Sequence, residues 1–420
     1  MEYLNSIEFA RALDRKDPLR DYKKRFHHPK TPEGDDCIYF CGNSLGLQPV
    51  SARSWVERIM KDWETKAVEG HFEGKEPWVP YHELLAPAMS RIVGAKEEEV
   101  ILMNSLTVNL HLMMVTFYRP VAGRHKILIE KNAFPSDQYA VKSQIRFHGF
   151  EVEESLIEMS PRKGEATLRT EDIVRRIEGE GEQIALVMMG GLNYYTGQVY
   201  DMKRIAAAAR DKGCVVGFDL AHAVGNVPLE LHDWKVDFAV WCTYKYLNSG
   251  PGGIAGAFVH ERHHKNENLP RFAGWWGHDK QDRFLMEENF VPIPTAEGWQ
   301  LSCGPILLEA SLRASLEIFD EVGMGELRRK SELLTGFLEF LISAIETDKI
   351  DIITPSDPGQ RGCQLSVRVI GSDKGLFHAL RKRGIITDWR EPDVIRVSPA
   401  PLYNSFEEVF RFVEHLKQSL

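Results

Sequence analysis

The stretch CTYKYLNSGPGG, residues 242–253, decides the fold expected for this chain of 420 residues. It places Lys245 between two tyrosines, directly after the apolar run VDFAVW (236–241) and directly before a glycine-rich turn. Lysine side chains are rarely buried unless a partner offsets the loss of hydration. The sequence therefore raises the question of what the Lys245 amine does at the end of a strand that is predicted to be buried.

Short β-rich runs alternate with helical patterns on both sides of this stretch, from about residue 95 to residue 260. Several of the runs are continuously apolar, which is typical of strands covered on both faces. The alternation predicts an α/β fold with a mostly parallel sheet and a ligand site at the carboxyl ends of its strands. The strand candidates are EVILM (99–103), HKILIE (125–130), IALVMM (184–189), CVVGFDL (214–220), VDFAVW (236–241) and GIAGAFVH (253–260).

The pattern changes after about Pro305, where helices and strands follow one another without strict alternation. Such an order is typical of a smaller α+β domain. The sequence therefore predicts three parts. They are an N-terminal segment, residues 1–50, associated with the small domain, a large α/β domain over residues 51–304, and the small C-terminal domain over residues 305–420.

Composition excludes several classes of protein. A net charge of -9 argues against nucleic acid or an anionic membrane as a partner, although a local basic pocket for a small anion stays possible. No apolar run approaches the ~18 residues of a membrane span, and the charged N-terminus has no secretory pattern. The six cysteines are scattered without metal-type spacing, which is typical of reduced thiols. We expect a cytoplasmic protein that acts on a small molecule.

Two consecutive strand candidates end in Asp219 and Lys245, which places both groups at one edge of the sheet. By itself Asp219 could cap a helix or bond within a loop, and His222 could be a packed core histidine. Together, however, an amine that attacks an aldehyde and a carboxylate that keeps a pyridine nitrogen protonated are the requirements of pyridoxal 5'-phosphate (PLP). The pair predicts a PLP site.

PLP also requires groups that bind its phosphate. Asn104, Ser105 and Thr107 follow the strand candidate EVILM and open a helix, where free N–H groups bind anions. Ordinary helix capping is the competing interpretation. In NAFPSDQYA (132–140), Phe134 could stack on the pyridine ring and Asp137 could bond nearby.

At this point the motifs resemble those of the kynureninase family, PLP-dependent enzymes of the aspartate aminotransferase fold (fold type I). The resemblance runs from about Tyr39 to near Phe412. The motifs that carry it are FCGNSLGLQP (40–49), NSLTVNLHL (104–112), FPSDQYA (134–140), YYTGQ (194–198), GFDLAHAVGNVPLELHDW (217–234), WCTYKYLNSGPGGIAGAFVHERH (241–263), GWWGH (274–278) and VSPAPLYNS (397–405).

The resemblance implies a role for each site residue. Lys245 would hold PLP and move the Cα proton, Asp219 would pair with the ring nitrogen, and Tyr244 would be a proton donor or a phosphate ligand. The resemblance gives no metal a role. The other implied cofactor contacts are Leu106, Thr107, Phe134, Pro135, Ser136, Asp137, His222, Trp275 and Cys303; the implied substrate contacts are Ser44, His71, Ser302 and Arg396, whose guanidinium would clamp the α-carboxylate.

The implied reaction is hydrolytic cleavage of L-kynurenine or 3-hydroxy-L-kynurenine to an anthranilate and L-alanine, by a homodimer. Cys303 stands where family members commonly carry Asn or Thr, so a packing thiol is an alternative for that position. Two other hypotheses stay open. One is another fold type I enzyme, such as an aminotransferase or a cysteine desulfurase-like lyase, and the other is a non-catalytic protein that kept the PLP fold.

Overall fold

In the computed structural model, the described residues, 2–266 and 268–420, form an α/β fold with a large sheet of seven strands, a small sheet of four strands and a separate pair of short strands. The helices are α1 (Ile7–Lys16), α2 (Ala52–Lys66), α3 (Ala86–Val93), α4 (Leu106–Phe117), α5 (Pro135–Phe147), α6 (Val152–Ser155), α7 (Thr170–Glu180), α8 (Met202–Asp211), α9 (Ile306–Val322), α10 (Met324–Ser343), α11 (Lys374–Lys382) and α12 (Phe406–Lys417). The strands are β1 (Ile38–Tyr39), β2 (Val100–Leu102), β3 (Lys126–Glu130), β4 (Leu156–Met159), β5 (Ile184–Gly190), β6 (Val215–Asp219), β7 (Phe238–Cys242), β8 (Ala255–Val259), β9 (Ile350–Ile352), β10 (Leu365–Val369), β11 (Ile385–Ile386), β12 (Asp388–Arg390) and β13 (Val394–Val397).

The large sheet has seven strands in the order β2-β8-β7-β6-β5-β3-β4. All neighbouring strands are parallel except that β8 runs antiparallel to both β2 and β7. The predicted mostly parallel α/β sheet is therefore confirmed, and each of the six strand candidates forms a strand. The sequence prediction missed β4, an edge strand in which buried and exposed positions alternate.

Both faces of this sheet are covered, which explains the continuously apolar strands. Leu128 and Val187 face a core that also contains side chains of α3, α7, α8 and α9. Their neighbours in sequence, Ile127 and Leu186, face the opposite core, which contains side chains of α4 and α5. Because successive side chains of a strand point to opposite faces, both positions must be apolar.

The small sheet is antiparallel, in the order β12-β13-β10-β9, and packs with α10, α11 and α12. The N-terminal segment joins it. Ala10 of α1 shares the core of this sheet, and β1 pairs in parallel with β11. The carboxylate of Asp14 accepts hydrogen bonds from the first N–H groups of α12.

The predicted boundaries at residues 50 and 304 stay predictions. The contacts of α1 and β1 support the association of the N-terminal segment with the small domain. Immediately beyond the second boundary, however, α9 packs on α2 and α3 and contributes Leu312 and Leu316 to a core of the large sheet. The change of sequence pattern after Pro305 therefore precedes the change of packing.

The topology brings several chain segments to one place. Glu130, Gly190 and Asp219 are the last residues of the adjacent strands β3, β5 and β6. Lys245 follows β7, and α4 and α5 begin at the same edge. Among the described helices, none is both long enough and apolar enough to cross a membrane.

Candidate active site

A cavity of about 280 Å³ lies where the carboxyl ends of the parallel strands meet the small domain. Larger grooves, of about 1310, 770, 560 and 520 Å³, lie outside it, and of the predicted site residues these four contain Pro135 and Ser44 alone, and Ser44 also lines the smaller cavity. The chemistry is therefore concentrated in the smaller cavity. The predicted site residues that line it are Ser44, Leu106, Thr107, Phe134, Ser136, Asp137, Asp219, His222, Tyr244, Lys245 and Arg396.

Lys245 and His222 are in direct contact inside this cavity. The Lys245 Nζ lies 3.0 Å from the His222 Nε2. Burial, followed by the charge of Lys245, lowers the pKa of His222 well below its ordinary value, so the imidazole is neutral and its Nε2 accepts from the lysine. The Nδ1 of His222 then carries the hydrogen, and no partner for it exists among the described residues. The cavity thus contains a buried donor that is available to a ligand.

Asp219 is a buried acid without a basic partner in the described part of the chain. Its Oδ1 accepts a hydrogen bond of 2.7 Å from the N–H of Ala221. Burial raises the pKa of Asp219, and burial together with the charge of Asp219 raises the pKa of Asp137 well above its ordinary value. A cationic ring nitrogen facing Asp219 would offset the free-energy cost of burying its negative charge, so the acid fits the pyridinium of PLP.

The phosphate end of the site is formed by the first turn of α4. Its N-cap, Ser105, makes no side-chain bond to the helix, so the N–H groups of the first turn stay available to an anion. The Thr107 Oγ1 lies 2.7 Å from the Ser136 Oγ and so joins the starts of α4 and α5. Asn104 and Ser105 do not line the cavity; Asn104 has a left-handed φ of 50° and bonds to Asn109 instead.

On the opposite side, Arg396 comes from β13 of the small sheet. It is 1% exposed. Its Nη1 donates to the carbonyl of Tyr194 at 2.7 Å, and its Nη2 pairs with Asp388. Its Nε has no partner among the described residues. A buried guanidinium with an unused donor beside the cavity is suited to binding a carboxylate.

Besides Asn104 and Ser105, five predicted site residues do not line this cavity. Pro135 occupies the first turn of α5, the usual position of a helix-starting proline, and faces the neighbouring groove. The other four belong to one separate surface. His71 precedes Phe72, whose ring packs on Phe284, which packs in turn on Trp275. Trp276 donates from its N–H to the carbonyl of Leu301, which precedes Ser302 and Cys303. The predicted roles of these residues stay predictions.

The sequence reasoning assigned no role to four polar or aromatic residues that line the cavity, namely Asn43, Glu130, Tyr194 and Arg390, nor to the lining residues Gly190, Leu192 and Ala221. Asn43 and Tyr194 stand inside the motifs FCGNSLGLQP and YYTGQ, so the motifs contained them. Glu130 ends the strand candidate HKILIE, and an acid at a strand end is the signal that identified Asp219. No local pattern distinguishes Arg390 from a surface arginine.

Two groups of side chains outside the cavity could offer ligands to a metal ion. In the first, the buried Glu99 accepts from the N–H of Lys96 and from His232, and His260 lies nearby. In the second, Lys280 already pairs with both carboxylates of the group, which consists of His82, Glu83 and Glu297. Both groups are explained by these hydrogen bonds and ion pairs.

Comparison with known sequences gives full-length relatives. A family profile described as "Kynureninase C-terminal domain" matches residues 327–416. A protein named kynureninase from Koribacter versatilis is 55% identical over 412 residues, which are 98% of this chain and 97% of that protein. Another from Myxococcus xanthus is 56% identical over 98% of this chain and 97% of its own, and one from Nematostella vectensis is 53% identical over 98% and 93%.

Comparison with solved structures supports the fold alone, since the identities are low. A cysteine desulfurase from Thermococcus onnurineus superposes with a TM-score of 0.74 at 17% identity and covers 95% of this chain and 97% of its own. A cysteine desulfurase from Escherichia coli gives a TM-score of 0.76 at 14% identity, with coverage of 95% and 97%. The predicted PLP fold type I is thereby confirmed.

Proposed function

The chain belongs to the kynureninase family, and we propose that it is a PLP-dependent hydrolase of carbon–carbon bonds. It cleaves the Cβ–Cγ bond of L-kynurenine or 3-hydroxy-L-kynurenine and releases an anthranilate and L-alanine. The observation that carries this proposal is one cavity that joins Lys245, Asp219 and Arg396 from three separate segments of the chain.

When bound, PLP supplies an aldehyde that links to amines and a ring that accepts electrons from a breaking bond. Lys245 would hold the aldehyde through its Nζ, which lies beside the neutral His222. Asp219 would keep the ring nitrogen protonated, and the ring of Phe134, 5.8 Å from the Lys245 Nζ, would be available to the pyridine ring. The first turn of α4 and the hydroxyls of Thr107 and Ser136 would hold the phosphate.

Substrate orientation depends on Arg396. Its unused Nε donor binds the α-carboxylate, while Asp388 and the Tyr194 carbonyl fix the other side of the guanidinium. Lys245 then removes and returns the Cα proton. Tyr244 donates a proton near the γ-carbonyl, because burial raises its pKa and the phenol keeps its hydrogen at neutral pH.

We further propose that a second copy of the chain completes each site. Phe72, Trp275 and Phe284 form an aromatic patch, and they are 56%, 47% and 46% exposed. Exposed apolar patches of this kind are typical of association surfaces. Covering the patch with a second copy would bring His71, Trp275, Ser302 and Cys303 to the cavity of that copy.

Mixing two inactive variants tests the shared site. Lys245→Ala removes the amine of the cavity and Trp275→Ala removes the ring of the patch. If each site takes residues from both chains, a mixture dissociated and reassociated together regains up to about one quarter of wild-type activity, because one of its two sites is intact in the mixed dimer. No recovery in a mixture that does form mixed dimers would contradict the proposal.

We also propose a cytoplasmic location and a role in the kynurenine pathway, either in tryptophan catabolism or in NAD (pyridine nucleotide) biosynthesis. The support is that all six cysteines are free and five of them are buried. Unpaired thiols are typical of reducing compartments.

Incubation of the purified, PLP-loaded protein with L-kynurenine is the direct test. We expect loss of kynurenine absorbance together with equimolar anthranilate and L-alanine, and no product from the Lys245→Ala protein. Transfer of the amino group to a keto acid, or release of sulfide from L-cysteine, without anthranilate would instead favour an aminotransferase or a desulfurase-like lyase. A fully PLP-loaded protein that turns over none of these substrates would favour the non-catalytic alternative.

A further inference from the structure

Glu130, the last residue of β3, is a buried acid inside the active-site cavity, and the reaction described above does not use it. It is 3% exposed. Both of its carboxyl oxygens accept from the N–H of Gly190, each at 3.2 Å. A Cβ at position 190 would lie 2.9 Å from the Glu130 Oε1, so the glycine is what lets the carboxyl approach β5. The side chain is therefore fixed at the strand edge that also carries Asp219.

The surroundings of Glu130 contain acids and no counter-charge. Among the described residues, no lysine, arginine or histidine forms an ion pair with it. The titratable groups that face it are Asp219 on β6, Asp137 on α5 and Tyr200 beyond β5. Lys245 contacts His222, and the two arginines of the cavity share Asp388. The charge of Lys245 lowers the pKa of Asp137 and Asp219, but one positive charge cannot offset three buried carboxylates.

We infer that Glu130 is a positioning residue that is uncharged below neutral pH, where Asp219 is the ionised acid facing the ring nitrogen of PLP, and that its ionisation near neutral pH adds a second charge at the same strand edge. Burial, followed by the charge of Asp219, raises the pKa of Glu130 to about 7 from its ordinary value of 4.5. The hydrogen bond from Gly190 favours the ionised form and burial opposes it, and the protonated carboxyl can keep this position because its carbonyl oxygen still accepts from the N–H. The inference rests on PLP binding and not on the identity of the substrate.

Ionisation of Glu130 would act on the cofactor through Asp219. Above neutral pH a second negative charge appears at the same strand edge, and it strengthens proton binding by groups of the bound cofactor. Glu130→Gln mimics the protonated acid, since its amide oxygen accepts from Gly190 and its side chain cannot ionise. Glu158→Gln is the matched control, because Glu158 lies on the neighbouring strand β4 with its side chain exposed.

The first measurement is a pH titration of the absorption band of bound PLP between about pH 6 and 9.5. A unit charge in a partly dry site shifts a neighbouring pKa by roughly half a unit or more. We therefore expect the midpoint to fall by ~0.5 unit or more in Glu130→Gln. In Glu158→Gln we expect a change below ~0.1 unit, because an exposed charge is screened.

The second measurement is thermal melting of the PLP-free proteins from pH 5 to pH 8. Folded wild type retains a proton on Glu130 that the unfolded chain releases near pH 4.5, so its stability falls as the pH rises from 4.5 towards 7. The amide has no such dependence. Relative to wild type, the melting temperature of Glu130→Gln should rise by ~2–5 °C between the two pH values.

Each result decides the inference. An unchanging difference in melting temperature would show that Glu130 is not the protonated acid. If the difference in melting temperature changes with pH but the midpoint of the PLP absorption titration stays the same, Glu130 is a buried acid without influence on the cofactor, and the inference is wrong. A Glu130→Gln protein that fails to fold at pH 5, or binds no PLP at that pH, would show that the neutral form is not the native one. Lack of kynurenine cleavage leaves all of these readouts intact.

Discussion

Replacing Arg396 by lysine tests the proposed carboxylate clamp. The guanidinium, 1% exposed, uses two nitrogens on the Tyr194 carbonyl and Asp388 and leaves its Nε free. A lysine keeps the positive charge but presents its donors from a single atom on a linear stem. Its single ammonium group cannot donate at the same time to the Tyr194 carbonyl, to Asp388 and to a substrate carboxylate, because these lie in different directions from the side chain. Because both side chains carry one positive charge, a loss of activity would report the changed geometry of the hydrogen bonds and not a loss of charge.

The expected loss follows from the hydrogen bonds involved. One hydrogen bond to a charged group contributes about 1.5–3 kcal/mol. If lysine loses the bond that the Nε makes to the carboxylate, up to roughly 3 kcal/mol is lost, which is a factor of about 100 to 200 in kcat/KM at the upper end. The carboxylate takes no part in bond cleavage and is held equally in the ground state and the transition state. Most of the loss should therefore be a higher KM.

Arg390→Lys is the matched control. Arg390 shares Asp388, with its Nε 3.0 Å from the carboxylate, but its side chain is 35% exposed. Solvent replaces lost hydrogen bonds at such a position, so we expect a loss of kcat/KM below ~5-fold. The PLP content and the melting curves of both variants should match wild type, which separates a binding defect from misfolding.

A substrate analogue completes the experiment. L-Kynurenine amide lacks the α-carboxylate, so wild type should lose about the same factor of 100 on the amide that Arg396→Lys loses on kynurenine. If the guanidinium binds that carboxylate, the variant combined with the amide loses little more. Losses that simply multiply would refute the contact, as would a larger effect in Arg390→Lys than in Arg396→Lys.

Three further substitutions test other parts of the structure. Lys245→Ala should lack the absorption band of covalently held PLP and lose more than ~1000-fold in kcat, with PLP content followed by spectroscopy. Asp219→Asn should still bind PLP but lose ~100-fold or more in kcat, and unchanged turnover would remove Asp219 from the mechanism. Glu309 is fully buried and neither of its oxygens has a partner among the described residues, and burial raises its pKa to about 8 from 4.5. The folded state keeps this proton while the unfolded chain releases it, so wild type loses stability as the pH rises from 4.5 to 8. Denaturation at pH 5 and 8.5 should show Glu309→Gln gaining on the order of 2–4 kcal/mol relative to wild type at the higher pH.

The sheet could be predicted because its strands lie between two layers of helices. Burial on both faces requires uninterrupted apolar runs such as IALVMM, and such runs are visible in the sequence. Of the two edge strands, β2 is buried along its whole length and was predicted, whereas β4 includes the exposed Glu158, which interrupts its apolar pattern. Within the large sheet, the strand that escaped prediction is therefore the one with an exposed position, and edge position alone does not explain it.

Some residues of the site could likewise be predicted from the sequence, and others could not. Asp219 and Lys245 follow neighbouring strands, and parallel topology alone places such residues at one edge. Arg390 and Asn43 reach the cavity only because the small domain and the N-terminal segment dock there. That docking depends on contacts between distant segments, for example the bond of 2.9 Å from the Asn43 Nδ2 to Gln364. No periodicity or turn signal near either residue encodes it.

The predicted residues that lie outside the cavity follow from a further physical constraint. A side chain can serve the cavity of its own chain only if the chain path brings it there, and the loops carrying His71 and Trp275 end on the aromatic patch instead. Burying an aromatic ring such as that of Trp275 stabilises an association by about 1.5–3 kcal/mol, so a partner that covers the patch gains affinity from the same residues that would reach its cavity. One surface would then have two roles, since its apolar rings would hold two chains together and its polar neighbours would serve the site, Ser302 as the predicted substrate contact and Cys303 as the predicted cofactor contact. A resemblance between sequences reports both roles without distinguishing them, because related sequences are selected as assembled enzymes.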